Sequence, residues 1–263
     1  GRILLRAAKI LQDRNEQVAR VEVQDVGKAI AEAESGDVPS GPDALEYFGG
    51  IARDMPGTYH TYPGAVGFTQ RIPLGVCAGI GAWNYPVQIA CWKAAPALAT
   101  GNAFILKPSE ETPLSGQRIA ELFHEAGLPD GLFQVIHGDY RIGRAICEHP
   151  GIAKISLTGG VETGKLIMAQ SASSLKKVTL ELGGKSPNIF FADVMDQGED
   201  FISKAVEGLV LGFLNQGEVC TCPSRALIHE DMYEPFMEMV IERAKKITRG
   251  NPLDVNTMVG AQA

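Results

Sequence analysis

The sequence predicts an α/β fold: a Rossmann-like, mostly parallel sheet followed by the first part of a second α/β unit. Three observations carry this. From residue 72 onward, short β-rich runs alternate with helical stretches, a pattern that implies right-handed crossovers and parallel strands. Glycines and polar side chains cluster where those runs end, at 81–84, 107–110 and 158–160. Beyond Gly183-Gly184 the alternation starts afresh.

Residues 2–34 carry Ile3, Leu4, Ala7, Ala8, Ile10 and Leu11 at three- and four-residue steps, the mark of a helix with one buried face. Gly36, Pro39, Gly41 and Pro42 are expected to break it, and Asp43 to cap a helix over 44–54. Strands are then expected at 74–80, 103–107, 132–137, 153–158 and 176–182, with helices at 87–99, 115–126, 141–148 and 162–174 between them. Such a sheet binds ligands at the carboxyl ends of its strands. The second unit begins near Gly183, with strand 187–191, helix 199–212, a loop carrying Cys220, strand 225–229 and helix 231–247.

The composition is that of a chain able to bury a core, 45% hydrophobic and 21% charged. A net charge of −7 with no basic block argues against nucleic acid as a partner. No apolar run approaches the roughly 18 residues of a membrane span. Five widely spaced cysteines read as reduced thiols in a cytoplasmic compartment. Cys220, Cys222 and His229 are too few ligands for a structural zinc site, so no metal is expected.

Several segments carry chemistry. In Leu180-Glu-Leu-Gly-Gly184, apolar neighbours would raise the Glu181 carboxyl and suit it to act as a base; read alone, it is equally a strand-edge carboxylate facing water. Cys220, in Asn215-Gln-Gly-Glu-Val-Cys220, is a nucleophile candidate whose thiol needs activation by nearby N–H groups. Attack on a carbonyl creates an oxyanion, for which the Asn84 amide and the Cys220 backbone N–H are candidate donors; Trp83 and Asn84 also fit an ordinary turn before Pro86. Lys93 is either a proton-relay residue behind the site or a surface lysine.

Lys107-Pro-Ser-Glu110 ends a strand with a donor and an acceptor suited to ribose hydroxyls, and a carboxylate there repels a 2′-phosphate. The run Gly159 to Lys165 nearly spells a triphosphate-binding loop, but Leu166 stands where Ser or Thr would hold Mg²⁺. Glycines entering a helix there let a backbone approach a phosphate.

Six segments in order, Ile80–Pro86, Lys107–Pro113, Leu128–Phe133, Ser156–Gly159, Leu180–Pro187 and Asn215–Cys220, resemble the aldehyde dehydrogenase superfamily. The resemblance implies an aldehyde dehydrogenase-like fold, an NAD-binding domain over 1–182 and the start of a catalytic domain over 183–263. It implies NAD-dependent oxidation of an aldehyde to an acid, with Cys220 as nucleophile, Glu181 as deacylating base, Asn84 as oxyanion donor and Lys93 in proton relay. Trp83, Lys107, Ser109, Glu110, Thr158, Gly159, Gly160, Gly164 and Leu182 become cofactor contacts. A CoA-acylating or NADP-preferring relative, or an incomplete NAD-binding fragment, are the alternatives.

Gly160 stands where many relatives carry Ser, which removes one pyrophosphate hydrogen bond. The segment Ile80–Lys93 is similar to betaine-aldehyde and trimethylaminobutyraldehyde dehydrogenases, whereas 185–193 and 218–225 are similar to bacterial acetaldehyde-type enzymes. At about half the usual subunit length, the chain is expected to be a fragment of a homo-oligomeric parent, without the start of the cofactor domain and the later catalytic half.

Overall fold

The computed structural model describes residues 1–262. Helices α1 (Arg2–Asp13), α2 (Asn15–Val26), the single turn α3 (Ile30–Glu32) and α4 (Val38–Ile51) come first, with a wide π-type turn at Ala33–Asp37 running directly into α4. Next is a hairpin of β1 (Tyr59–Tyr62) and β2 (Ala65–Phe68). The alternating unit comprises β3 (Val76–Ile80), α5 (Pro86–Ala99), β4 (Ala103–Lys107), α6 (Pro113–Glu125), β5 (Phe133–Val135), α7 (Tyr140–Glu148), β6 (Ile152–Gly159), α8 (Val161–Ser171) and β7 (Lys177–Leu182). Then follow β8 (Pro187–Phe190), α9 (Glu199–Val210), a 3₁₀ segment at Leu211–Gly217, β9 (Arg225–Ile228) and α10 (Tyr233–Ala244).

The start of the chain departs from expectation twice. The 2–34 helix is divided, first at Arg14 (φ −112°) between α1 and α2 and again where Gly27 adopts φ 86° and closes α2, its N–H bonding to the Val23 carbonyl. The break expected at 36–42 is absent: Pro39 is the second residue of α4, directly after the π-type turn, and helix continues through Pro42. Burial offsets the bond lost at Pro42. A Cβ on Gly41 would lie 3.0 Å from Leu11 Cδ2 and 3.1 Å from Cys91 Sγ, so glycine is what lets α1 and α5 close on α4. Asp43 therefore lies inside a helix rather than at its cap. The hairpin of β1 and β2, exposed along almost its whole length, has no counterpart in the expected elements.

The five-stranded sheet has the order β5-β4-β3-β6-β7, and all four pairings are parallel. Period-two alternation divides the strand residues between two cores. Cys77, Phe104 and Leu106 face a cluster with Leu11, Val23, Leu45, Cys91 and Phe123 of the first helices, α5 and α6. Ala78, Ile80, Ile155 and Leu157 face α7 and α8 through Ile146 and Ile167. A third cluster, Phe190, Val206, Val210, Met232, Phe236 and Val240, joins β8 and the parallel strand β9 to α9 and α10. The alternating α/β reading thus holds from β3 to α10, with boundaries moved by a few residues.

The chain winds outward from β3 through α5 to β4, and in the other direction from β6 through α8 to β7. Between β3 and β6 the winding reverses, which opens a crevice at the carboxyl ends of those strands.

Candidate active site

A cleft of about 790 Å³ occupies that crevice. The loop after β3 supplies Trp83 and Asn84, β4 and its loop supply Lys107, Ser109 and Glu110, and the β6–α8 turn supplies Thr158, Gly159 and Gly160. Glu181 and Leu182 close β7 on the same cleft, and Cys220 enters from the turn that follows the 3₁₀ segment. Residues from 83 to 220 are thereby gathered around one space.

At one end of the cleft Lys107, 4% exposed, donates from Nζ to Glu110 Oε2 at 2.8 Å. This hydrogen bond holds the Glu110 carboxyl below its ordinary range. A buried lysine thus fixes an exposed carboxylate at the mouth of the strand. Nearby, α8 begins at Val161 with Gly160 as its cap, and no side chain covers the first N–H groups. An uncapped helix start with its partial positive charge facing a cleft is a place for a phosphate.

At the other end, Asn84 Nδ2 donates to the Glu218 carbonyl at 2.7 Å, and Asn215 Nδ2 reaches the same oxygen at 3.2 Å. These bonds tie the β3 loop to the segment that carries Cys220. Gly184 stands close by, where a Cβ would lie 4.0 Å from the Cys220 carbonyl. Cys220 itself is a free, exposed thiol.

The apolar setting expected for Glu181 does not form. Leu180 and Leu182 pack into the cluster facing α7 and α8, and alternation turns Glu181 to the opposite face, where it is exposed beside Thr158. The flanking leucines stabilise the strand and leave the carboxylate in water.

Lys93 and Gly164 lie outside the cleft lining. Lys93 is 8% exposed, and its Nζ donates to Ser156 Oγ at 3.1 Å. Its stem crosses β3 at Gly79, where a Cβ would come within 3.1 Å of Lys93 Cδ and 2.6 Å of Phe104 Cζ. Burial lowers the ammonium to about 8, although the Glu181 charge acts in the opposite sense. Lys93 is therefore a buried amine within electrostatic reach of Glu181, and the surface-lysine reading falls. Gly164 is a packing residue: a Cβ there would meet Leu182 Cδ2 at 2.9 Å.

Sequence reasoning missed Tyr140 and Arg144 of α7 and Thr163, Leu166 and Gln170 of α8, which also line the cleft. For α8 a signal existed, since 163, 166, 167 and 170 share one helical face. Beneath the Cys220 turn lies a buried ionic cluster that the sequence did not disclose. Lys28 Nζ pairs with Glu22 Oε1 at 3.2 Å and with Asp37, and sits 4.1 Å above the Tyr85 ring. Burial raises the Glu22 carboxyl to about 7 and the Tyr85 phenol well above its usual value. Among the described residues no group of three or more His, Cys, Asp or Glu is arranged to hold a metal ion.

The profile of the Aldehyde dehydrogenase family matches residues 1–263. The chain belongs to the aldehyde dehydrogenase family. It is 51% identical over 262 residues to the betaine aldehyde dehydrogenase of Vibrio vulnificus, covering 99% of this chain and 53% of that protein. To the betaine aldehyde dehydrogenase of Brucella anthropi it is 50% identical over 261 residues, covering 99% and 52%. The chain spans about half the length of the curated relatives it matches. Among solved structures it is similar to PnpE in complex with nicotinamide adenine dinucleotide, with a TM-score of 0.94 at 40% identity over 99% of this chain and 53% of that one. An indole-3-acetaldehyde dehydrogenase complexed with NAD⁺ gives 0.92 at 39% identity over 98% and 52%. The architecture expected from the sequence is thus that of the family's first half.

Proposed function

We propose that this chain supplies the cofactor cleft and the reactive thiol of an NAD-dependent aldehyde dehydrogenase that converts an aldehyde to its carboxylic acid. The observation that carries this reading is the convergence of Cys220, Asn84 and Glu181 on one cleft whose far end holds the Lys107–Glu110 pair. Residues 1–182 are the cofactor domain and residues 183–263 open the catalytic domain. The separate core around Phe190 and Phe236 supports that division.

The cleft fits a dinucleotide. Lys107 and Glu110 present a donor and an acceptor to ribose hydroxyls, and Glu110 disfavours a 2′-phosphate. Thr158, Gly159 and Gly160 lead to the uncapped start of α8, which suits a pyrophosphate, while Trp83 and Leu182 add apolar wall. NAD⁺, when bound, is the hydride acceptor. Ser109, between Lys107 and Glu110 in the chain, also lines the cleft.

The chain's own residues perform the remaining steps. Cys220 Sγ, as thiolate, adds to the aldehyde carbon, and the new oxyanion meets the Asn84 amide and the Cys220 N–H. Loss of hydride leaves a thioester on Cys220. Glu181, on the strand beside the cleft, removes a proton from the water that attacks the thioester, and Lys93 behind it stabilises and relays that proton. The acid departs and the thiol is restored. A betaine-type aldehyde is the preferred substrate, in line with the 51% identical relative. The working enzyme is cytoplasmic and homo-oligomeric.

NADH formation tests the reading, with betaine aldehyde and with acetaldehyde, for the chain and for Cys220→Ala. Turnover that vanishes in the variant supports it, and turnover that survives overturns it.

A further inference from the structure

One carboxylate that holds the Cys220 segment has no part in the chemistry proposed above. Glu32 ends the single turn α3, and its two oxygens accept the Asn215 backbone N–H at 3.2 and 3.0 Å. Asn215 opens three successive residues of positive φ: 46° at Asn215, 58° at Gln216 and 82° at Gly217. For Gln216 this conformation is disfavoured, because Cβ crowds the following carbonyl, whereas Asn tolerates it better. A run of such residues persists only where its surroundings hold it.

What this turn controls is visible in its contacts. The Asn215 side chain donates to the carbonyls of Asn84 and Glu218, at 3.4 and 3.2 Å. Asn84 Nδ2 returns a bond to the Glu218 carbonyl, two residues before Cys220. The carboxylate of Glu32 therefore anchors, from a different part of the chain, the turn that leads to the nucleophile and is hydrogen-bonded to the loop carrying the amide donor. It is itself held in place: α3 is fixed by the Ile30 N–H bond to the Pro252 carbonyl at 2.8 Å, and the Lys28–Asp37 pair lies behind it.

We propose that Glu32 is a positioning residue: by bridging the Asn215 N–H it holds the left-handed turn 215–217 and so sets Cys220 and Asn84 relative to each other. The proposal rests on the roles given above to Cys220 and Asn84. A bond from a backbone N–H to a carboxylate is among the stronger ones in proteins. Its loss should free this segment while leaving the sheet and the ribose end of the cleft intact.

The test uses the 263-residue chain and its Glu32→Ala and Glu32→Gln variants. Amide exchange is measured by mass spectrometry over 215–222 and over the strands 76–80 and 152–159, beside steady-state kinetics with betaine aldehyde. Glu32→Ala is expected to accelerate exchange over 215–222 roughly 10- to 100-fold, with the two strands unchanged. It should lower kcat about tenfold or more while KM for NAD⁺ stays within about twofold. Glu32→Gln keeps a neutral acceptor and should fall between wild type and Glu32→Ala in both readouts. Should Glu32→Ala not fold, Glu32→Gln decides alone. Wild-type exchange over 215–222, or acceleration spread equally over the strands, overturns the proposal. A parent chain that forms no NADH would instead count against the dehydrogenase reading, and the exchange comparison would still decide whether Glu32 holds the turn.

Discussion

The Asn84 side-chain amide donates to the Glu218 carbonyl at 2.7 Å, which fastens the loop after β3 to the segment carrying Cys220. A primary amide has two N–H groups, and committing one to Glu218 orients the other. The free N–H is the oxyanion donor of the proposed mechanism. Asn84→Ala is expected to lower kcat about 10²- to 10³-fold. Asn84→Asp, which keeps the shape but cannot donate, should fall in the same range. Steady-state kinetics and a titration with NAD⁺ check this, and cofactor affinity should be unchanged in both.

The buried Lys93 ammonium sets a pH dependence of stability. Its value in the folded chain is lowered to about 8 from 10.5, so the unfolded chain binds more protons between those two values. Stability therefore rises with pH across that window, and the penalty of burying the charge is complete below it. Lys93→Met should raise stability at pH 7 by about 1–3 kcal/mol, and by less at pH 10. Denaturant unfolding at the two pH values measures the difference.

Glu22 gives the opposite sign. Its carboxyl rises from 4.5 to about 7 in the folded chain, so folding favours the protonated form and stability falls as pH climbs from 4.5 through 7. One of its oxygens, Oε2, is buried with no hydrogen-bond partner. Glu22→Gln is expected to raise the melting temperature at pH 8 and to have little effect at pH 4.5, since Asp37 still pairs with Lys28. Thermal unfolding at both pH values tests this.

Much of the fold was legible because its signals are local. The helix face of Leu4, Ala7, Ala8 and Leu11 and the alternation of Phe104 and Leu106 follow from periods of 3.6 and 2, and both are buried as those periods require. The cleft residues at strand ends followed from the same rhythm. What failed was local reasoning applied to tertiary matters. Pro39, Gly41 and Pro42 look like a break, but packing against α1 and α5 keeps them helical. The two leucines beside Glu181 look like an apolar shell, yet they point to the other face of the sheet. Glu22, Lys28 and Asp37 look like ordinary surface charges, and only the fold brings them together in the interior.

Gly164 illustrates the difference between a binding residue and a spacing residue. A Cβ there would lie 2.9 Å from Leu182 Cδ2 and 3.2 Å from Leu182 Cδ1, so α8 rests directly on β7. Gly164→Ala should change stability by less than about 1 kcal/mol, because the Leu182 methyls can turn aside and Ala favours the helix. The start of α8 keeps its place, so NAD⁺ affinity should be unchanged. Unfolding and cofactor titration on the same sample check both effects.

In the proposed mechanism Cys220 carries the substrate as a thioester that Glu181 releases. Mass spectrometry of Glu181→Gln, quenched soon after mixing with NAD⁺ and betaine aldehyde, shows whether that thioester forms. A burst of NADH is expected, with the acyl group replacing the thiol hydrogen on the peptide containing Cys220, and neither appears in Cys220→Ala. A burst with no adduct on that peptide, or an adduct on another residue, would contradict that mechanism.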